Sequence, residues 1–136
     1  MNSVVNVPGG TAFSSRIKKP EFRMGGKTGT AQVRRISMQE RETRVLKNKE
    51  LPWKERDHAL FVGYAPFENP KYAVSVIVDH GGSGSASAAP IARDLILAAQ
   101  YDSTPPLSSY PEAQRNRINS KLKKMRLLDP KETMGL

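Results

Sequence analysis

Apolar residues are concentrated in two short runs in the middle of the chain, His58–Ala65 and Lys71–Val78. Both runs are rich in β-branched and aromatic residues, and the segment between them, residues 66–70, contains two prolines and an asparagine. This spacing predicts two antiparallel strands joined by a longer hairpin loop. Because the runs are nearly continuously apolar and do not alternate, we expect helices on both faces of the sheet.

The chain before the hairpin is interrupted by glycine and proline. Residues 1–20 contain the turn-forming run Pro8–Thr11 and a second proline at position 20, which predicts a connector. Residues 22–33 are extended in character, and glycines within a strand often mark the close approach of a ligand or another backbone. We therefore expect a third strand there.

A helix is predicted after the hairpin. The glycine-rich residues 81–84 end the second run, Ser85 or Ser87 can cap a helix that continues to about residue 99, and Pro90 suits its first turn. The apolar positions at helical spacing, which we expect to pack on the sheet, are Ile91, Leu95 and Ala98.

The predicted fold class is therefore α/β of the α+β type, a three-stranded antiparallel sheet with a C-terminal helix. Residues 1–101 form this body and residues 34–57 form a charged insertion between strands. Residues 102–136 begin with a proline-rich linker and continue as a basic segment, for which we expect a flexible tail.

The chain carries a formal net charge of +9, which raises the question of a nucleic-acid partner. Residues 34–56 hold eight Lys or Arg against four Glu, and residues 111–128 hold six against one. Neither segment has the interleaved aromatic residues that stack on bases. We expect solvated basic surfaces and no nucleic acid, and a basic interaction module remains an alternative.

Other features narrow the class of protein. The chain has no cysteine, so no disulfide or thiolate nucleophile is expected. Two isolated histidines give no reason to predict a metal site, and we expect no cofactor. No apolar run approaches the roughly 20 residues that span a bilayer, so we expect any membrane anchor to lie outside this chain.

The run Lys27-Thr28-Gly29-Thr30 is the strongest candidate for chemistry. A phosphate-binding loop would need glycine at position 21, which is Glu21, and a helix after the lysine. The residues that follow are strand formers instead. A strand beside an acyl-transfer site fits better, because a lysine charge attracts a carboxylate and a backbone N–H can serve an oxyanion hole.

The order of segments around this motif resembles a known family. Lys27–Gln32, the insertion, Ala59–Pro66 and Tyr72–Val78 together resemble the C-terminal part of the transpeptidase domain of class B penicillin-binding proteins, which has a serine β-lactamase-like fold. The run Val7–Ala12 is similar to the elongation-specific D,D-transpeptidases of that class. The resemblance covers about residues 1–100.

The resemblance implies an activity and a set of roles. These enzymes cross-link peptidoglycan stem peptides through a serine acyl-enzyme, and β-lactams trap that acyl-enzyme. Lys27 would be the motif lysine, Thr28 would contact the substrate carboxylate, Gly29 would make room for substrate, and the Thr30 amide would complete the oxyanion hole. The cell-elongation machinery would be a partner, at the periplasmic side of the bacterial inner membrane.

The family's other two motifs are not matched. No Ser-x-Asn occurs in the chain, and its two Ser-x-x-Lys runs, at residues 15–18 and 120–123, stand in the wrong places for the family's nucleophile. We therefore expect a fragment that lacks the N-terminal half of the domain and is inactive alone. A fragment of a serine β-lactamase or D,D-carboxypeptidase is the alternative. Without the family's neighbouring strands, Tyr72–Val78 would have an unpaired edge.

Overall fold

The computed structural model describes residues 1–125 of the chain. Its helices are α1 (Asn2–Asn6), α2 (Met38–Glu42), α3 (Ala89–Tyr101) and α4 (Arg115–Lys124), and its strands are β1 (Gly25–Ala31), β2 (His58–Ala65) and β3 (Tyr72–Val78). Short 3-10 turns connect several of these elements. Among these residues no helix is both long enough and apolar enough to cross a membrane.

The predicted three-stranded antiparallel sheet is confirmed. The strands lie in the order β1-β2-β3, with Gly29 opposite Leu60 and Leu60 opposite Ile77. Both apolar runs form strands almost over their predicted lengths. Within the described residues β1 and β3 are both edge strands, so the unpaired edge expected at Tyr72–Val78 is present.

One face of the sheet, called the inner face below, carries the core. Phe61 on β2 and Val76 on β3 lie opposite each other on this face and are buried against α1 and α3. The Phe61 ring lies over Gly26 and Gly63, where a Cβ on either glycine would collide with it. Small residues on β1 and β2 therefore let one aromatic side chain fill the centre of the core.

The prediction of helices on both faces of the sheet is wrong for residues 1–125. The opposite face, called the outer face, leaves Val62 46% exposed and Ile77 64% exposed. Continuous apolar strands normally indicate two covered faces. The outer face thus has the composition of a buried surface without a described element to cover it.

The C-terminal helix forms, but it presents a different face from the predicted one. A π-helical turn, Gly84–Ala88, precedes α3, and its N-cap is Ser83, not Ser85 or Ser87. The residues that α3 buries are Ala89, Ala92, Arg93, Ile96 and Leu97. Ile91 and Leu95 are 45% and 54% exposed because the small alanines bring the other side of the helix close to the sheet. The helix is therefore apolar on two sides.

The predicted connector over residues 1–20 contains a short helix. α1 buries Val5, and the Val4 carbonyl accepts a hydrogen bond from the Ala12 N–H at 2.9 Å. Ala12 and Ile17 are also buried. This segment belongs to the core because its apolar side chains pack on the inner face beside β1.

Residues 102–125 also differ from the predicted flexible tail. Tyr110 is 2% exposed and Ile118 on α4 lies in the same core cluster. The buried Arg93 donates to Gln114 Oε1 at 2.7 Å, and Gln114 donates to the Ser14 carbonyl at 2.6 Å. These contacts join the segment after α3 to the chain before β1. The remainder of the predicted tail, residues 126–136, lies outside the described residues.

The burial of Tyr110 predicts how this docking responds to pH. Burial, assisted by Asp94, raises the pKa of Tyr110 to about 12 from the usual 10.0. A raised folded-state pKa means that the stabilisation is complete below pH 10 and is lost as the pH rises toward 12. Absorbance at 295 nm should show one tyrosine titrating near 12.

The control for this prediction is Tyr110→Phe, which removes the ionisable group and keeps the ring. Between pH 10 and 12 the melting temperature of the unmodified chain should fall more than that of the variant. An equal fall in both proteins, or a common titration of every tyrosine near pH 10, would contradict the docking of Tyr110.

Candidate functional site

The Lys-Thr-Gly-Thr run lies within β1, as a strand in full register with β2. Lys27 is opposite Val62 and Thr28 is opposite Phe61. Since side chains alternate along a strand, Lys27 lies on the outer face with Val62, whereas Thr28 and Thr30 lie on the inner face. Lys27 and Thr30 are exposed, and Thr28 and Gly29 are partly buried.

The hydrogen bonds of Gly26 show which way the backbone of β1 is turned. The Gly26 N–H donates to the Met1 carbonyl of α1 at 3.3 Å, so this N–H points away from β2. Backbone groups alternate in direction along an antiparallel strand. The N–H and C=O groups of Thr28 and Thr30 therefore also point away from β2, toward the free edge of β1.

The Lys27 side chain reaches that same edge. Its Nζ donates to the Thr28 carbonyl at 2.8 Å. An ammonium group, the Thr28 backbone and the Thr30 N–H are thus gathered along one strand edge to which, within residues 1–125, no further strand is added. We call this arrangement the motif edge. It can bind an extended peptide by strand addition and attract its carboxylate.

The chain's own Ser-x-x-Lys serines do not share this position. Ser15 lies in a 3-10 turn with its side chain 1% exposed among the core residues of the inner layer. Ser120 is on α4, where its hydroxyl donates to the Asn116 carbonyl at 3.0 Å. Lys27 lies on the outer face, so neither serine is paired with the motif edge.

The charged insertion is fastened to the end of the sheet by a side chain that belongs to none of the sequence motifs. Asn48 accepts from the Asp57 N–H at 2.8 Å and donates to its carboxylate at 3.0 Å. It also donates to the Gly82 carbonyl at 3.2 Å. No sequence pattern singles out Asn48, because its partners are nine and 34 residues away.

A second contact orders the first half of the insertion. Arg34 donates to both carboxylate oxygens of Glu40, at 2.6 and 2.7 Å. This pair holds the pKa of Glu40 at about 2, well below its usual range. The pair and the Ser37 cap fix α2 next to the end of β1, since the Ser37 hydroxyl accepts from the Glu40 N–H at 3.1 Å.

Comparison with known families shows to which family β1 and its neighbouring strands belong. Residues 1–97 match the family described as the penicillin binding protein transpeptidase domain. The chain belongs to this family. The matched range contains all of β1, β2 and β3, including the motif edge.

Individual members of the family are also similar to this chain in sequence. The peptidoglycan D,D-transpeptidase MrdA of Haemophilus influenzae is 41% identical over 96 residues, which is 71% of this chain and 14% of that protein. MrdA of Salmonella typhimurium is 36% identical over 109 residues, 78% of this chain and 17% of that protein. The chain thus spans about a sixth of these relatives or less.

A solved structure of the family has a similar fold. The structure described as a complex between penicillin-binding protein (PBP2) and MreC from Helicobacter pylori aligns with a TM-score of 0.56 and 31% identity. The alignment covers 75% of this chain and 16% of that one. The fold class predicted from the sequence, a partial transpeptidase domain, is confirmed.

The Asn48 contacts predict the stability of the insertion. Asn48→Ala leaves the Asp57 N–H and the Gly82 carbonyl without their partner, so the free energy of unfolding should fall by about 1–3 kcal/mol. Urea denaturation measures this change. The matched control is Asn69→Ala, because Asn69 is exposed in the hairpin loop. A difference below about 0.5 kcal/mol between the two variants would contradict the anchoring role.

Proposed function

We propose that this chain supplies the Lys-Thr-Gly side of the active site of a peptidoglycan D,D-transpeptidase of the elongation-specific type. The observation that carries the proposal is the motif edge, on which the Lys27 ammonium and the Thr30 N–H lie at the same strand edge, unpaired in the described part of the chain. The family membership of residues 1–97 supports the same assignment.

The roles of the four motif residues follow from their positions on an edge strand. Lys27 attracts the terminal carboxylate of the donor stem peptide through its ammonium charge. Thr28 contacts that carboxylate through its hydroxyl, because both faces of an edge strand border a peptide added to the edge. Gly29 leaves room for the substrate backbone. The Thr30 N–H donates to the oxyanion of the tetrahedral intermediate.

The covalent steps need a serine, and neither of the two Ser-x-x-Lys serines, Ser15 and Ser120, is paired with the motif edge. A serine hydroxyl attacks the penultimate carbonyl of the stem peptide, the terminal D-alanine leaves with a proton, and an amine of a neighbouring peptide then takes the acyl group. β-Lactams enter the same acylation step. We assign the serine and its base to the remainder of the transpeptidase domain, so this chain alone is inactive.

Three surfaces support the remainder of the domain as a partner. Within residues 1–125, the outer face exposes Val62 and Ile77, the β3 edge is unpaired, and Ile91 and Leu95 form an apolar stripe on α3. All three lie on the parts of the chain that match relatives about six or seven times as long as the matched segment. Additional strands beside β3 and helices over the outer face would bury them.

The location and the further partners are proposed from the relatives. MrdA proteins are described as peptidoglycan D,D-transpeptidases, which supports a place for the active protein at the bacterial inner membrane. We place the active protein at the periplasmic side of that membrane. The Helicobacter pylori relative is described in complex with MreC, which supports a place for the active protein in the cell-elongation machinery.

A chimera tests the proposal most directly. Residues 1–97 replace the matching segment of Haemophilus influenzae MrdA, and acylation by a fluorescent penicillin is followed on a gel. We expect the chimera to be labelled and the isolated chain to remain unlabelled. Lys27→Ala in the chimera should slow acylation by at least about 100-fold, because it removes charge from the reacting centre.

Lys54→Ala in the insertion is the matched control, since it removes an exposed lysine that is not on the motif edge. It should change the acylation rate less than threefold, a small effect for a surface charge. A folded chimera that no penicillin labels, or a Lys27→Ala chimera that is labelled at the unmodified rate, would overturn the proposal.

A further inference from the structure

Gly84 lies directly behind the motif strand. It is the first residue of the π-helical turn that precedes α3, and it is buried. A Cβ built on it would be 2.6 Å from the Gly29 carbonyl oxygen, 3.2 Å from the Gly29 nitrogen and closer still to the Leu60 carbonyl oxygen. Real Cβ atoms do not approach backbone atoms this closely, so no other residue fits here without movement.

The three atoms next to Gly84 belong to one pair of strand residues. Gly29 is opposite Leu60, and the alternation from Gly26 turns the Gly29 N–H and C=O toward β2. Gly84 therefore packs directly against the backbone of the Gly29–Leu60 pair, where β1 and β2 are hydrogen-bonded. Gly29 is the third residue of the Lys-Thr-Gly-Thr run. The sequence pattern indicates only a strand break at residues 81–84.

The turn that contains Gly84 is fixed from behind. The Ser87 hydroxyl donates to the Gly81 carbonyl at 2.7 Å, and the Gly82 N–H donates to the Asp57 carbonyl at 2.8 Å. Ala88 and Ala89 are fully buried under the sheet. These contacts resist movement of the turn away from the sheet, so we expect added volume at Gly84 to move the strand pair.

We propose that Gly84 is a positioning residue for the motif edge. Because its backbone contacts the Gly29–Leu60 pair directly, Gly84 sets the distance between the turn and the β1 backbone at Gly29. It thereby sets the direction of the adjacent Thr30 N–H and of the Thr28 carbonyl that receives Lys27. The consequence for acylation rests on the proposed function, whereas the structural effect can be measured in the chain itself.

The structural effect is tested by amide NMR on the full chain. Gly84→Ala should move the cross-peaks of Thr28, Gly29 and Thr30 and speed exchange of the Gly29 amide by about tenfold or more, as expected for an overpacked contact. Gly81→Ala is the matched control in the same loop. The three atoms nearest to its Cβ would be side-chain atoms of Val78 and Ala59, at 2.9 and 3.0 Å, and none of them belongs to β1.

Two results would overturn the positioning role. One is a set of unchanged Thr28–Thr30 cross-peaks in a folded Gly84→Ala chain, and the other is an equal change of these cross-peaks in Gly81→Ala. If Gly84→Ala does not fold, Ser87→Ala decides, because it loosens the turn without adding volume. It should speed exchange of the Gly29 amide by about threefold or more, and an unchanged rate overturns the role.

The effect of Gly84 on acylation is tested in the chimera with Haemophilus influenzae MrdA. Gly84→Ala should slow acylation by about tenfold to 100-fold, as for a small misplacement of reacting groups, and Gly81→Ala by less than threefold. If the unmodified chimera is not labelled, the proposed function fails and the NMR result stands. If the unmodified and Gly84→Ala chimeras are labelled equally fast, the positioning role fails and the proposed function stands.

Discussion

The organisation of residues 1–125 depends on one strand that is hydrogen-bonded along one edge and, among these residues, open along most of the other. β1 pairs with β2 over its full length, while α1 closes only its first part through the bond from the Gly26 N–H to the Met1 carbonyl. An unpaired strand edge is ordinarily a hazard for aggregation. Here it coincides with Lys27 and the Thr30 N–H, and under the proposed function a substrate adds there as the next strand.

The rest of the structure holds that strand in place. Phe61 fills the inner face below Gly26, and Gly84 supports the Gly29–Leu60 pair from behind. The segment after α3 reaches back to Ser14 through Gln114, which fixes the chain leading into β1. Positioning of this kind matters because binding groups aid acyl transfer only when they are already aligned with the reacting atoms.

Three surfaces of residues 1–125 are apolar or unpaired. The outer face, the β3 edge and the second apolar side of α3 would each be costly to leave in water in an isolated domain. The relatives are about six or seven times as long as the matched segment. In the proposed function the serine lies in the remainder of the domain, and that remainder buries these surfaces.

The parts of the fold that could be predicted from sequence are those with local signals. The β-rich runs of β2 and β3 and the glycine-rich strand β1 have clear patterns, and the motif residues could be named from their order. The burial of Tyr110 could not be predicted, because it depends on Arg93 and α4 meeting in space.

Two further errors have a similar cause. The buried side of α3 is lined by alanines, so the larger Ile91 and Leu95 gave the stronger but wrong signal. The five residues of α1 are too few for a periodic pattern. The direction of the Thr28 and Thr30 amides follows from the contact of α1 with Gly26, which no local pattern contains.

Residue-by-residue hydrogen exchange along β1 tests the open edge most directly. If the edge is as described, the amides of Lys27 and Gly29 are protected by β2, and those of Thr28 and Thr30 exchange much faster, in strict alternation. Equal protection of all four amides would mean that the edge is closed by another segment or another copy of the chain. That result would contradict the account, because no substrate strand could then be added beside Lys27.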